Sequence, residues 1–451
     1  MKNSWKQSLR SDSLKKKIGV TLGLIVVYKL LSVIPVPGVS VASLDSMRNV
    51  FAAQPGLAFF SSLMGGSMER FSIILMGLSP YINASIIIQL LSVVVPRLEE
   101  IKKEGAQGQR KINTYTRILT VPLAFVQSYG MILLLNSLVQ GTPIVDTGDW
   151  SHLLSMMTII TAGTVFLMWL GEQINESGLG NGISIIIFAG VLADMPSRIA
   201  TQLANVAWTG SIGGFVTQLI PFILLIVATL LVIYIIIRFT EGYRRVPLVY
   251  TRTGRDERSY FPIRINQVGM VPIIFAMSLV TFPYIIGQAI SVRGSGMPQF
   301  VRSASELMTR IFNPNAPTWW FVAIFITLVI GFSYFYLSIT FDTKEVADGI
   351  QKRGGYIPGI RPGRQTADYL RSVSNHLNFF GGSFIAIIAA FPYIATLINN
   401  TLKAHNIPAL NVTNIDFLIS GSGLIIVVGV ILELLRRFKA ESQSYDYRRF
   451  L

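Results

Sequence analysis

The chain has 451 residues, is 51% hydrophobic and only 14% charged, and has a mean hydropathy of +0.54. Soluble domains carry about a quarter charged residues, so a soluble globular fold is excluded and lipid is implied. There is no cysteine, and the three histidines (His152, His376, His405) lie far apart, so disulfides, thiol chemistry and Cys- or His-based metal sites are not expected.

A bilayer core about 30 Å thick needs about 20 mostly apolar residues per helix. Ten such runs recur, at residues 18–34, 71–95, 117–138, 153–170, 183–199, 214–237, 265–289, 318–340, 376–398 and 417–435, leaving no room for a separate soluble domain. The fold class expected is therefore an all-α polytopic membrane protein. The basic start runs into residues 18–34 with no small-residue cleavage site, so that stretch reads as a retained first span. The second span, FSIILMGLSPYINASIIIQLLSVVVP (71–96), carries Gly77, Pro80, Asn83 and Ser85 through its middle. The apolar stretch before it, LAFFSSLMGGSMER (57–70), is too short to cross a bilayer.

The net charge of +15 would suit nucleic acid, but its placement argues for a membrane. Thirty of the 38 Lys and Arg fall on the side that holds the N-terminus, and by the positive-inside rule both termini are then cytoplasmic. The exception is the loop 171–182, which has Glu172 and Glu176 and no basic residue; parity with its neighbours still places it inside.

Ten spans divide into two halves of five, 1–200 and 201–451, and the halves echo each other. Gly77-Leu78-Ser79-Pro80-Tyr81-Ile82 and Gly269-Met270-Val271-Pro272-Ile273-Ile274 both read G-x-x-P-x-I. The fifth span opens with Gly180-Asn181-Gly182-Ile183 and the tenth with Gly421-Ser422-Gly423-Leu424. An odd number of spans per half inverts the second half, and Gly/Pro-interrupted helices at matching positions of inverted repeats mark a pathway along the repeat interface. Pro80 and Pro272 are expected to interrupt their helices and free a carbonyl, which belongs against protein or a watery cavity. Leu78 and Ile82 share a helix face, as do Ile183 and Ile187, while Ile274 and Ile426 lie at comparable depths. Convergence of these six gives an apolar collar that holds back water; on composition alone ordinary lipid-facing or core isoleucines are the better account, and only the Gly/Pro context and the resemblance below raise the collar above it. The span centres hold almost no ionisable group, which disfavours an ion-coupled transporter. No nucleophile–base set supports an intramembrane enzyme.

Two cytoplasmic loops are long and basic. Residues 238–264 hold Arg244, Arg245 and Arg252 around a strand-like VPLVY, and residues 341–374 hold Lys352, Arg353, Arg361 and Arg364 among Gly and Pro turns. Anchoring topology needs only a few charges, so these loops read as docking surfaces for an acidic partner or ribosomal RNA.

Several ordered blocks resemble the SecY family, the central subunits of bacterial protein-translocation channels. They are IPVPG (34–38), MGLSPYINASIIIQLL (76–91), EEIKKEGAQGQRKINTYTR (99–117), GEQINESGLGNGISIIIFAG (171–190), VGMVPIIFA (268–276), FDTKEVADGIQKRGGYIPGIRPG (341–363) and GSGLIIVVGVILEL (421–434). The resemblance implies ten helices in two clamshell halves, with a plug helix at about 57–69 (Phe59, Phe60, Leu63, Met64). It implies a pore ring of Leu78, Ile82, Ile183, Ile187, Ile274 and Ile426, with Leu78 standing where isoleucine is expected. A lateral gate would be lined by Asn83, Asn266 and Phe282. The basic loops would dock the SecA ATPase and the ribosome, with SecE and SecG as companion subunits, and Arg361 would matter most for SecA. Unfolded preproteins and signal sequences would pass through, membrane segments would leave sideways into lipid, and no cofactor or chemistry is implied. The setting implied is the bacterial plasma membrane.

Overall fold

The computed structural model describes residues 12–39, 44–47, 61, 67–138, 144–145, 148–177, 180–204, 212–252, 255–292, 298–314, 316–404 and 421–449. In hydrocarbon an apolar run satisfies its backbone only by pairing with itself, so it becomes a helix. Among the described residues ten helices of sixteen or more residues fall where the ten spans are expected. They are α1 (Asp12–Leu31), α2 (Ser79–Val94), α4 (Ala106–Leu138), α5 (Trp150–Ser177), α6 (Gly182–Ala204), α7 (Ile212–Glu241), α8 (Val271–Val292), α10 (Trp319–Thr340), α12 (Arg364–Ala404) and α13 (Gly421–Arg449). Six of them are long and apolar enough to cross a membrane on their own: α4, α5, α7, α8, α10 and α12. A seventh is α2 taken with the short α3 (Pro96–Lys103), bent by 101° where Pro96 follows Val95. Two further short helices are α9 (Gln299–Ile311) and α11 (Thr343–Lys352).

Two helix starts differ from expectation, and for the same reason. The second span was expected to be helical from 71, but the chain runs as turns through 67–78 and α2 starts at Ser79. The seventh was expected from 265, but α8 starts at Val271. Pro80 and Pro272 are therefore first-turn residues, where a missing N–H is no loss, rather than breakers inside a helix that free a carbonyl. Each is preceded by a left-handed glycine at the same spacing, Gly77 at φ +54 and Gly269 at φ +65. The repeated G-x-x-P motif thus folds the same way twice.

The helices and loops cluster into two compact units. The first comprises Met1–Phe222, Ser278–Phe321 and Leu418–Leu451. In it α4 packs on α2 and α5, and α5 packs on α6 and α1. The irregular segment 67–78 is buried within this unit, and its backbone is paired by protein. Val36 N donates to Phe71 O at 2.9 Å and Ile73 N donates to Ile34 O at 3.0 Å, while Pro35 and Ser72 form an antiparallel bridge. Phe71, fully buried, takes a left-handed φ of 44° within this clamp. Gly163 of α5 lies flush against the same segment, since a Cβ there would run into the Ile73 carbonyl.

The second unit comprises Ile223–Met277 and Val322–Phe417. Gly381 of α12 lets the helix lie on the turn before α8, where a Cβ would stand 2.6 Å from Ile265 O. Beside it, Ser374 Oγ donates to Gln267 Oε1 at 2.7 Å. Ser333 of α10 donates to Asn378 Oδ1 of α12 at 2.8 Å in a buried site. Small residues and hydrogen bonds of this kind hold helices together where lipid offers no hydrophobic drive.

Replacing Gly163 with Leu should push α5 off the 67–78 segment. Overpacking of this kind costs about 1–3 kcal/mol. Thermal unfolding of the detergent-solubilised protein should show a lowered midpoint, and a parental midpoint contradicts the close approach.

Candidate functional site

The sequence-predicted ring residues sit on helix starts. Leu78 precedes α2, Ile82 lies in its first turn, and both are buried. Ile183 and Ile187 occupy the first turns of α6, Ile187 buried and Ile183 half-buried. Ile426 is buried in the second turn of α13, and Ile274, half-buried, lies in the first turn of α8. The structure packs α6 against α13. A methyl on Gly180, just before α6, would lie 3.5 Å from Leu434 Cδ2 of α13. The start of α6 is itself held: Asn175 Oδ1 accepts from Gly182 N at 2.7 Å and Asn181 Oδ1 from Ile183 N at 3.1 Å. A Cβ at Gly182 would run into the Gly171 carbonyl.

Of the gate residues, Asn83 and Phe282 are half-buried on α2 and α8. Asn266 is buried with a local task, its Oδ1 accepting from Gly269 N at 2.8 Å to close the turn before α8. The four plug residues Phe59, Phe60, Leu63 and Met64 lie outside the described residues. Among the described residues no group of three or more His, Asp or Glu could hold a metal ion.

The two basic loops, read separately in the sequence, form one folded element. Strands β1 (Tyr243–Arg252) and β2 (Arg255–Arg264) pair antiparallel over ten residues, from Tyr243↔Arg264 to Arg252↔Arg255. A third strand, β3 (Gly355–Tyr356), joins β1 through Val249↔Tyr356 and Tyr250↔Gly355, giving the order β2-β1-β3. The strand-like VPLVY is thus part of a much longer strand. Alternation drives it: Val246, Leu248 and Ile263 point inward against Ile350, Ile357, Leu370 and Val373. Only glycine fits at 355, where a Cβ would stand 2.6 Å from the Tyr250 ring. Asp342 caps α11 by accepting from Lys344 N at 2.9 Å and Glu345 N at 3.2 Å.

This element presents exposed cations. Arg244 and Arg245 lie on β1, Lys352 and Arg353 end α11, and Arg361 and Arg364 flank the entry to α12, all exposed; Arg252 lies at the tip of the hairpin on β1. The sequence reading missed that Arg245 is preorganised. Its guanidinium stands 5.3 Å from the Tyr243 ring centre and 5.0 Å from that of Tyr260, and Nη2 donates to the Tyr243 hydroxyl at 3.0 Å. It also missed the pairing of Arg117 Nε with Glu172 Oε1 at 2.6 Å. That contact holds the loop 171–182, which has acidic but no basic residues, at the same end of the bundle as the basic segment 96–117. On α3, Lys103 lies 2.7 Å from Glu99 and holds that carboxyl below its ordinary range.

Comparison with known proteins defines the class first. The fold is that of protein-conducting membrane channels. A solved protein-conducting channel superposes with a TM-score of 0.63 at 18% identity, covering 93% of this chain and 92% of its own. Sec61 in the canine ribosome–channel complex superposes at 0.60 and 17% identity, with coverage of 93% and 92%. The SecY family model matches residues 72–435. The protein translocase subunit SecY of Staphylococcus aureus is 34% identical over 456 residues, covering 98% of this chain and 97% of that one. The chain belongs to the SecY family.

Gly355→Leu should prise β3 off β1 without touching the membrane helices. Limited trypsin digestion should then cleave faster after Lys352 and Arg353; an unchanged digestion pattern contradicts the joined sheet.

Proposed function

We propose that the chain is a protein-conducting channel of the bacterial plasma membrane. It passes unfolded preproteins outward and releases apolar segments sideways into lipid. Its halves 1–200 and 201–451 act as opposed clamshells, and both termini are cytoplasmic. The observation that carries this reading is the doubled helix start, Gly77-to-Pro80 and Gly269-to-Pro272, in a chain of this family. It sets apolar side chains of matching motifs at the beginnings of two helices rather than along featureless spans.

In this reading Leu78, Ile82, Ile183, Ile187, Ile274 and Ile426 form a gasket around the moving chain. Water is expelled from so narrow an apolar constriction, so ions are blocked without any charged barrier. An extended peptide wets it transiently and makes no lasting bond there. The segment with Phe59, Phe60, Leu63 and Met64 plugs the external side at rest. Asn83, Asn266 and Phe282 line the lateral exit, where a sufficiently apolar segment partitions into lipid. Arg244, Arg245, Arg252, Lys352, Arg353, Arg361 and Arg364 form the docking face for the SecA ATPase and the ribosome, which supply the driving energy. SecE and SecG complete the assembly. The Sec61 relative was solved on a ribosome, and the basic face suits the same kind of partner.

Photo-crosslinking side chains at Ile82 and Ile274 should both capture a stalled secretory chain in membranes. Labelling by small solutes alone would instead support a solute transporter. Arg361→Glu should depress SecA-driven export at least about tenfold, the loss expected when a charge-assisted contact of about 1.5–3 kcal/mol is reversed, while leaving the protein folded. Export at the parental rate removes Arg361 from the docking face.

A further inference from the structure

The short helix α9 has no part in the conduction pathway described above, yet its side chains are sorted. It lies across the last turns of α8. Gly287 makes room for it, since a Cβ there would stand 2.9 Å from Thr309 Cγ2, 3.1 Å from Met308 Cβ and 3.1 Å from Ser305 O. Ser305, almost fully buried, marks the face turned towards α8. A helix turns about 100° per residue, so Arg302, Glu306 and Arg310 lie about 60–140° to one side of Ser305. Leu307, Phe300 and Ile311 lie about 120–160° to the other. The charged edge is closed by an Arg302–Glu306 pair at 3.2 Å. On the apolar edge Phe300 is 83% and Leu307 58% exposed.

Depth decides what that edge meets. Gly287 lies inside the apolar span Val271–Gln288, one residue before its end. The helix packed on it therefore sits where hydrocarbon gives way to headgroups. On the far side of α9 the chain enters α10 through Trp319 and Trp320, which are 57% and 73% exposed, and exposed tryptophans at a span end mark the same layer. A helix with an apolar edge and a cationic edge held at that depth is the arrangement of an in-plane interfacial helix.

We propose that α9 lies in the membrane surface, with Phe300 and Leu307 among the acyl chains and Arg302 and Arg310 at the phosphate layer. Lipid, rather than another protein, covers its apolar edge. The helix thereby ties the end of α8, the helix that carries Phe282, to the depth of the bilayer surface. That the leaflet is the external one rests on the orientation proposed above; insertion does not.

The absence of native cysteine makes single-cysteine labelling unambiguous. Nitroxides would be attached at Phe300→Cys, Leu307→Cys, Arg302→Cys and Glu306→Cys in the full channel complex. The complex would be reconstituted into vesicles of phosphatidylethanolamine and phosphatidylglycerol, with no substrate. Collision with oxygen should exceed collision with a water-soluble nickel chelate several-fold at 300 and 307, and the order should reverse at 302 and 306. Chelate access at all four positions overturns the proposal, as does screening of 300 and 307 from both reagents, which would mean that protein covers the edge. Both readouts come from the resting channel, so they stand or fall separately from polypeptide conduction.

Discussion

A backbone N–H or C=O left unpaired in hydrocarbon costs several kcal/mol, and the helices of this chain and the two irregular stretches between them are answers to that constraint. Most of its length complies by forming uninterrupted helices. At 67–78 it does not, and the irregular backbone is instead buried against the IPVPG turn, which pairs with Phe71 and Ile73. Gly163 lets α5 lie directly against the arrangement. The same logic applies before α8, where Asn266 closes the turn with its own side chain and Gln267 binds Ser374. Non-helical backbone at membrane depth is tolerated only where protein shelters it, and both sheltered breaks end in a glycine with positive φ followed by a proline that starts a helix.

Those breaks decide where the proposed gasket sits. Helices that begin at Ser79 and Val271 place Leu78, Ile82 and Ile274 at or within one turn of a helix start. Ile187 and Ile426, both buried on the packed helices α6 and α13, supply the same kind of side chain. A seal made of branched aliphatic groups has no preferred partner, so it suits a passage whose contents change residue by residue. A built binding site would hold one solute and stall everything else. In the proposed function the energetic work is accordingly assigned outside the membrane, to partners for which the sheet formed by β1, β2 and β3 is the proposed docking face.

Much of the fold is legible in the sequence because the apolar spans and the repeated G-x-x-P motif are local in the chain. The ten long helices fall where the apolar runs predict them. Proline was misjudged because its two helical roles, breaker and starter, look alike until the turn before it is known; the positive φ of Gly77 and Gly269 distinguishes them. The three-stranded sheet is legible in the sequence only as VPLVY because its third strand lies about a hundred residues away and contributes just Gly355 and Tyr356. The alternation of Val246 and Leu248 with Phe261 and Ile263 was the available sign. Likewise no pattern in 171–182 announces that Glu172 answers Arg117 across two helices.

The gasket is tested most directly by ion conductance of the purified channel in planar bilayers with no polypeptide present. Wetting depends on how apolar the narrowest point is, so Ile426→Asn should turn a silent channel into one with frequent current openings, while Ile426→Leu should stay silent. Equal silence from the asparagine variant, in protein that still exports preproteins, would contradict an apolar seal at this position.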